Sequence, residues 1–221
     1  MKKSPPFVKL NVEARSRKVI ELLTREFPEA KVALNYSNPL ELLVATMLSA
    51  QSTDETVNKV TKSLFKKYRS AKDYAEVGIE ELETDIRSTG FYHNKAKNLK
   101  GAAKMLIEKN DGRVPRTMEE LTELPGVARK TANIVLSNAY GIVEGVAVDT
   151  HVRRVSKRLG LTENDNLEKI EQDLMKIVPQ KDWMKLTDLL ITLGRNVCTA
   201  RKPKCEVCVL NQICPSAFTF D

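Results

Sequence analysis

Aromatic side chains are scarce. Phe, Trp and Tyr make up 5% of the 221 residues, and there is a single Trp. Proteins that bind single-stranded nucleic acid stack successive bases on aromatic platforms, so this composition argues against that class. Long apolar runs are missing too: no stretch approaches the roughly 18 apolar residues of a membrane span. The N-terminal MKKSPPFVKLNVEARSRK is basic but lacks the apolar centre of a secretory signal. No Cys precedes Cys198, whereas a disulfide framework would be spread along the chain and would need an oxidising compartment. A location in the cytoplasm, at the nucleoid, is the expectation. No convincing strand alternation, internal repeat or low-complexity segment occurs.

What is present suits a soluble all-α protein. Hydrophobic residues make up 42% and charged residues 29%, and the length allows one large domain or two small ones with real cores. The formal charge of +7 fits a polyanionic partner, although a solvated basic surface would read the same. Pro5 and Pro6 mark a flexible start. Val19, Leu22, Leu23 and Phe27 fall at helical spacing and predict a helix from Val12 to Phe27. The run from Leu40 to Ser49 is apolar nearly all round, which predicts a buried helix. Ser52 and Glu55 read as a capping box for a helix that aligns Val57, Val60, Leu64 and Tyr68. A short helix is predicted over 78–87, a loop holding Gly90, Phe91 and Tyr92 follows, and a further helix runs from Lys95 to Lys109. Towards the C-terminus, helices are predicted from Asp149 to Gly160, from Leu167 to Val178 and from Trp183 to Gly194.

The stretch from Thr117 to His151 organises the rest. Thr117 with Glu120 reads as a capping box for a short helix from Met118, and Pro125–Gly126 stops it. A second helix follows from about Arg129 to Tyr140. Two helices around a tight Pro-Gly turn form a hairpin, and the N–H groups at the start of the second suit a phosphate. Periodicity alone would equally describe an ordinary helical hairpin in a core.

All four cysteines lie within Cys198-x6-Cys205-x2-Cys208-x5-Cys214. Such clustering reads as one metal site. Spacing alone leaves zinc and an iron–sulfur cubane both open, since each takes four thiolates.

The strings LPGVARKTAN and VAVDTH together resemble the helix-hairpin-helix and following Asp-bearing loop of the endonuclease III family of DNA glycosylases. LSAQSTDETVNK is similar to the same family, and the cysteine spacing is similar to its [4Fe–4S] loop. The resemblance covers about residues 15–215. Ala128 stands where the family usually has Gly, and Phe91 where its loop often has Leu.

The resemblance implies two helical domains with a DNA cleft between them. One is a six-helix barrel over 32–142 with the helix-hairpin-helix, and the other joins 1–31 to 143–221 and holds the [4Fe–4S] cluster on Cys198, Cys205, Cys208 and Cys214. It implies base excision repair: release of oxidised pyrimidines from double-stranded DNA with a damaged base, and strand cleavage by β-elimination, the protein acting as a monomer. Lys130 would be the nucleophile, its lone pair freed by desolvation or by a nearby cation such as Arg129. Asp149 would be its ionised partner, stabilising positive charge on the sugar while also capping its own helix. DNA contacts would come from the hairpin positions Leu124, Gly126, Ala128 and Thr131, and from Gln51, which enters the space left by the extruded base. Phe91 reads as an apolar wedge or as a core residue with equal weight. His151 is a candidate for the base pocket, against an ordinary helix-surface histidine. Lys202 and Lys204, in the basic loop between cluster cysteines, would contact phosphates. Mismatch glycosylases for adenine or thymine share the hairpin and cluster but generally lack the lysine, so Lys130 favours the bifunctional enzyme. A non-catalytic, metal-stapled DNA-binding protein is the reading from another class.

Overall fold

The computed structural model describes residues 7–220. The reading of Pro5 and Pro6 as a flexible start lies outside them. Among the described residues the regular structure is helical throughout, with eleven α-helices, short 3-10 turns and no strand. The chain divides into two compact units. One is continuous, Ala33–Glu144; the other joins the segment up to Val32 with Gly145 onwards. The first helix, α1 (Val12–Glu26), belongs to the split unit.

The continuous unit opens with α2 (Pro39–Leu48), where Pro39 sits at a helix start that has no use for its missing N–H. Every residue from Leu42 to Leu48 is buried, as expected of a helix that is apolar on all sides. Next comes α3 (Asp54–Lys67), which buries Val57, Val60 and Leu64. Its cap is Thr53, not Ser52: Thr53 Oγ1 accepts from the Thr56 N–H at 3.2 Å. Glu55 pairs instead with Lys59 at 2.8 Å. Adjacent hydroxyls at 52 and 53 offered two registers, and the one that places Asp54 first in the helix is formed.

A helix not among those expected from the sequence, α4 (Ala71–Glu76), has a reciprocal capping box: the Asp73 N–H bonds Ser70 Oγ and the Ser70 N–H bonds Asp73 Oδ2. Then follow α5 (Ile79–Ile86), a 3-10 turn over Arg87–Thr89, and α6 (Tyr92–Asn110). The last starts three residues before the predicted Lys95, which shortens the Phe91 loop. The hairpin itself is α7 (Met118–Glu123) and α8 (Arg129–Tyr140). Thr117 caps α7 through the Glu120 N–H, but the Glu120 carboxylate accepts from the Thr117 hydroxyl at 2.5 Å, so the expected capping box forms by half.

In the split unit, α1 lies in a core with α9 (Thr150–Arg158), α10 (Leu167–Ile177) and α11 (Trp183–Asn196). Val19 and Leu23 of α1 are fully buried among Val152, Val155, Leu174 and Leu190. Gly160, with φ 61°, ends α9: its N–H reaches Lys157 O and the Leu161 N–H reaches Ser156 O, both at 2.9 Å. This is a Schellman closure, and it needs the left-handed conformation glycine supplies.

Candidate functional site

The hairpin turn is anchored from inside and bare outside. Leu124 and Val127 are buried, and the Val127 N–H bonds Leu124 O at 3.0 Å. Gly126, between them, is exposed with φ +78°; a Cβ there would lie 2.7 Å from Asn98 Nδ2 on α6. Three residues further along α6, Gly101 makes room for Pro125, whose Cγ would sit 3.2 Å from an added Cβ. Ala128 is exposed and is the N-cap of α8, and its side chain makes no capping bond. Alanine is a poor cap, having no side-chain acceptor for the N–H groups of a first turn. Arg129 and Lys130 are exposed in that first turn, and Thr131 is half-buried. Leu124 offers only its main chain to a ligand, because its side chain belongs to the core.

Gln51 and Phe91 share a feature their sequence positions did not reveal. Both are exposed, and both hold left-handed backbone angles, φ 53° and 49°. Such angles cost non-glycine residues energy and persist only where the surroundings enforce them. Phe91 is 63% exposed, which removes the core alternative.

Asp149 is the N-cap of α9. Its Oδ1 accepts from both the His151 and Val152 N–H groups at 2.8 Å. Both bonds fall on the same carboxylate oxygen. His151 is half-buried, with Nδ1 3.2 Å from an Arg154 guanidinium nitrogen. Burial holds its imidazole below the usual 6.5; Asp149 opposes that shift, and Arg154 and Arg195 add to it. The same Arg154 nitrogen donates to Gly194 O at 2.9 Å and to Cys198 O at 3.1 Å. One turn further on, Arg158 donates to Cys198 Sγ at 3.3 Å and to Thr199 O and Ala200 O, with its guanidinium 4.1 Å from the Phe220 ring centre. Two arginines of α9 thus hold the start of the cysteine loop, a contact sequence spacing did not signal.

The four cysteines line one pocket together with Val155, Leu159, Leu193 and Phe220. All four are partly buried and unpaired by disulfides. Burial pushes the Cys208 thiol up and the Cys214 thiol to about 11. At these two positions a metal cation would replace the proton for the sulfur to ligate as a thiolate. Four free thiols lining one pocket suit a metal group that takes four thiolates, as zinc and an iron–sulfur cubane both do. Lys202 and Lys204 are exposed in this loop, Lys204 Nζ lying 3.2 Å from Asn196 O.

Comparison with known proteins agrees with this geometry. The family model of the HhH-GPD superfamily of base excision DNA repair proteins matches residues 44–180, and that of the iron–sulfur binding domain of endonuclease III matches 198–214. The endonuclease III of Synechocystis is 53% identical over 203 residues, 92% of this chain and 93% of that protein. A trapped endonuclease III–DNA covalent intermediate superposes with a TM-score of 0.91 at 48% identity, covering 96% of this chain and 99% of the other. A thermostable thymine-DNA glycosylase superposes at 0.84 with 25% identity, over 93% and 98%. The cofactor implied for this chain is a [4Fe–4S] cluster. The hairpin, the Asp-capped helix and the cysteine loop all point the same way, and the chain belongs to the endonuclease III family of base excision repair enzymes, DNA glycosylases with AP-lyase activity.

Proposed function

We propose that this chain releases oxidised pyrimidines from duplex DNA and then cuts the strand by β-elimination, with Lys130 as nucleophile. The observation that carries the reading is Lys130 exposed in the uncapped first turn of α8, directly after the hairpin turn. The N–H groups there, including that of Gly126, grip a backbone phosphate, with Ala128, Thr131 and the Leu124 main chain shaping the contact. The neutral Lys130 amine adds to the sugar C1′, and the damaged base leaves with its bonding electrons and takes up a proton. Opening of the sugar ring turns the adduct into a Schiff base, the ring oxygen taking up a proton. The Schiff base acidifies the neighbouring C2′ hydrogen, and loss of that proton expels the 3′ phosphate.

Asp149 keeps one carboxylate oxygen for the positive charge that develops on the sugar, because its helix uses the other. The target base leaves the stack to be reached: Gln51 fills the vacated space, Phe91 wedges the step open, and His151 lines the base pocket. Cys198, Cys205, Cys208 and Cys214 ligate the cluster, which holds the loop that places Lys202 and Lys204 on phosphates. The protein acts as a monomer, in the cytoplasm at the nucleoid. A mismatch glycosylase of the same fold is the second reading, favoured by the likeness to the thymine-DNA glycosylase; the amine at 130 weighs against it.

Borohydride trapping tests the assignment. The wild-type protein should form a covalent adduct with a lesion duplex, and Lys130→Gln should form none while still binding it. Trapping by Lys130→Gln at the wild-type rate would show another amine to be the nucleophile.

A further inference from the structure

We infer that Lys95 is a positioning residue that fixes the distance between Gln51 and Phe91, so that the two side chains enter the base stack as a pair. The inference rests on the proposed role of those residues. Lys95 lies one turn into α6 and is only 7% exposed. Its Nζ donates to Leu48 O and to Thr89 O, each at 2.8 Å. Leu48 ends α2, three residues before Gln51; Thr89 ends the 3-10 turn, two residues before Phe91. One ammonium group therefore ties together the main chain beneath both exposed side chains.

The choice of residue is costly unless it does something. A buried cation loses its hydration, and burial does lower the proton affinity of this amine. Its bonds to Leu48 and Thr89 go to main-chain carbonyls and not to a carboxylate. A methionine of similar length would fill the volume without burying charge. What methionine cannot do is bond two carbonyls from separate loops at once, one of them at the C-terminal end of a helix, where a cation is favoured. The left-handed angles at Gln51 and Phe91 point the same way, since strained residues stay in place only when their surroundings hold them. The same α6 supports the hairpin turn through Asn98 and Gly101, so one helix sets the places of wedge, finger and phosphate grip within this unit.

The test uses the full-length, cluster-loaded protein and two duplexes. In one, an oxidised pyrimidine faces 2-aminopurine, whose fluorescence rises when it unstacks. In the other, the same lesion faces a gap with no base, so no opposing base has to be displaced. Lys95→Met and Lys95→Gln should slow both the fluorescence rise and excision on the first duplex by about tenfold and change excision on the gapped duplex less than about twofold. In a Gln51→Ala/Phe91→Ala background, neither substitution should slow the first duplex further, because residues acting through one another are not additive. Equal losses on both duplexes, full additivity, no loss, or failure of both variants to fold at the assay temperature would overturn the inference. If Gln51→Ala/Phe91→Ala itself processes the first duplex at the wild-type rate, the underlying reading fails and the inference with it.

Discussion

Asp149 divides its carboxylate between structure and chemistry, and that division can be separated by one substitution. Asn caps helices about as well as Asp, both by about 1 kcal/mol over Ala. Asp149→Asn should therefore melt within a few degrees of wild type while base excision slows sharply. Cleavage of a preformed abasic site, which has no glycosidic bond left to break, should suffer less. Asp188 on α11 makes a different prediction. Burial pushes its carboxyl up to about 7 from 3.8. A raised folded-state value means stability that is complete below 3.8 and is lost as pH rises through about 7. Asp188→Asn should thus raise the melting temperature at pH 8, by the equivalent of up to about 4 kcal/mol, and the gain should shrink as pH is lowered through 7. A gain that does not vary with pH would count against a buried neutral acid. His151 runs the other way: its value is lowered, so its contribution is present above 6.5 and lost as pH falls below that.

Elements rather than single residues decide whether the turn and the cysteine loop keep their shape. Gly126→Ala puts a Cβ into Asn98 at a left-handed angle, a strain of about 1–3 kcal/mol. It should lower both melting temperature and duplex affinity, read by calorimetry and by titration. Arg158→Met leaves α9 able to form but removes the donors to Cys198 Sγ and the Thr199 and Ala200 carbonyls. Its absorbance near 400 nm, roughly where iron–sulfur proteins absorb, should decay faster in air than that of wild type. The helices α3 and α8 were legible because their apolar residues repeat at the helical period, and α2 because its run is apolar on all sides. So were the turn at Gly126, the cap at Asp149 and the cysteine cluster, each marked by a residue type with few other uses. The six residues of α4 are too few to show a period. The bridge made by Lys95 was hidden for another reason: its partners are main-chain carbonyls, which every residue carries and no sequence distinguishes. Phe91 could be core or wedge until its exposure was known.

For the molecule as a whole, the excess of positive charge is expressed in how binding responds to salt. Each phosphate contact from a lysine contributes about one unit to the salt slope. Replacing both Lys202 and Lys204 by Ala should reduce that slope by about two units and weaken all duplexes alike. Loss of lesion discrimination with an unchanged slope would mean that the loop has another job.

The division of the chain also dictates an order of events during synthesis. Residues 33–144 form a continuous unit, so everything they need has been made once Glu144 has emerged. The unit that contains α1 is completed only by residues beyond Gly145. At about 5–20 residues per second, α1 waits on the order of ten seconds or more for its partners. Val19 and Leu23 are translated before Leu174, Leu190 and Leu210 and have to wait for them before they are enclosed. Through that interval the nascent chain carries an amphipathic helix whose apolar stripe is unsheltered, which makes α1 a segment where a chaperone has work to do.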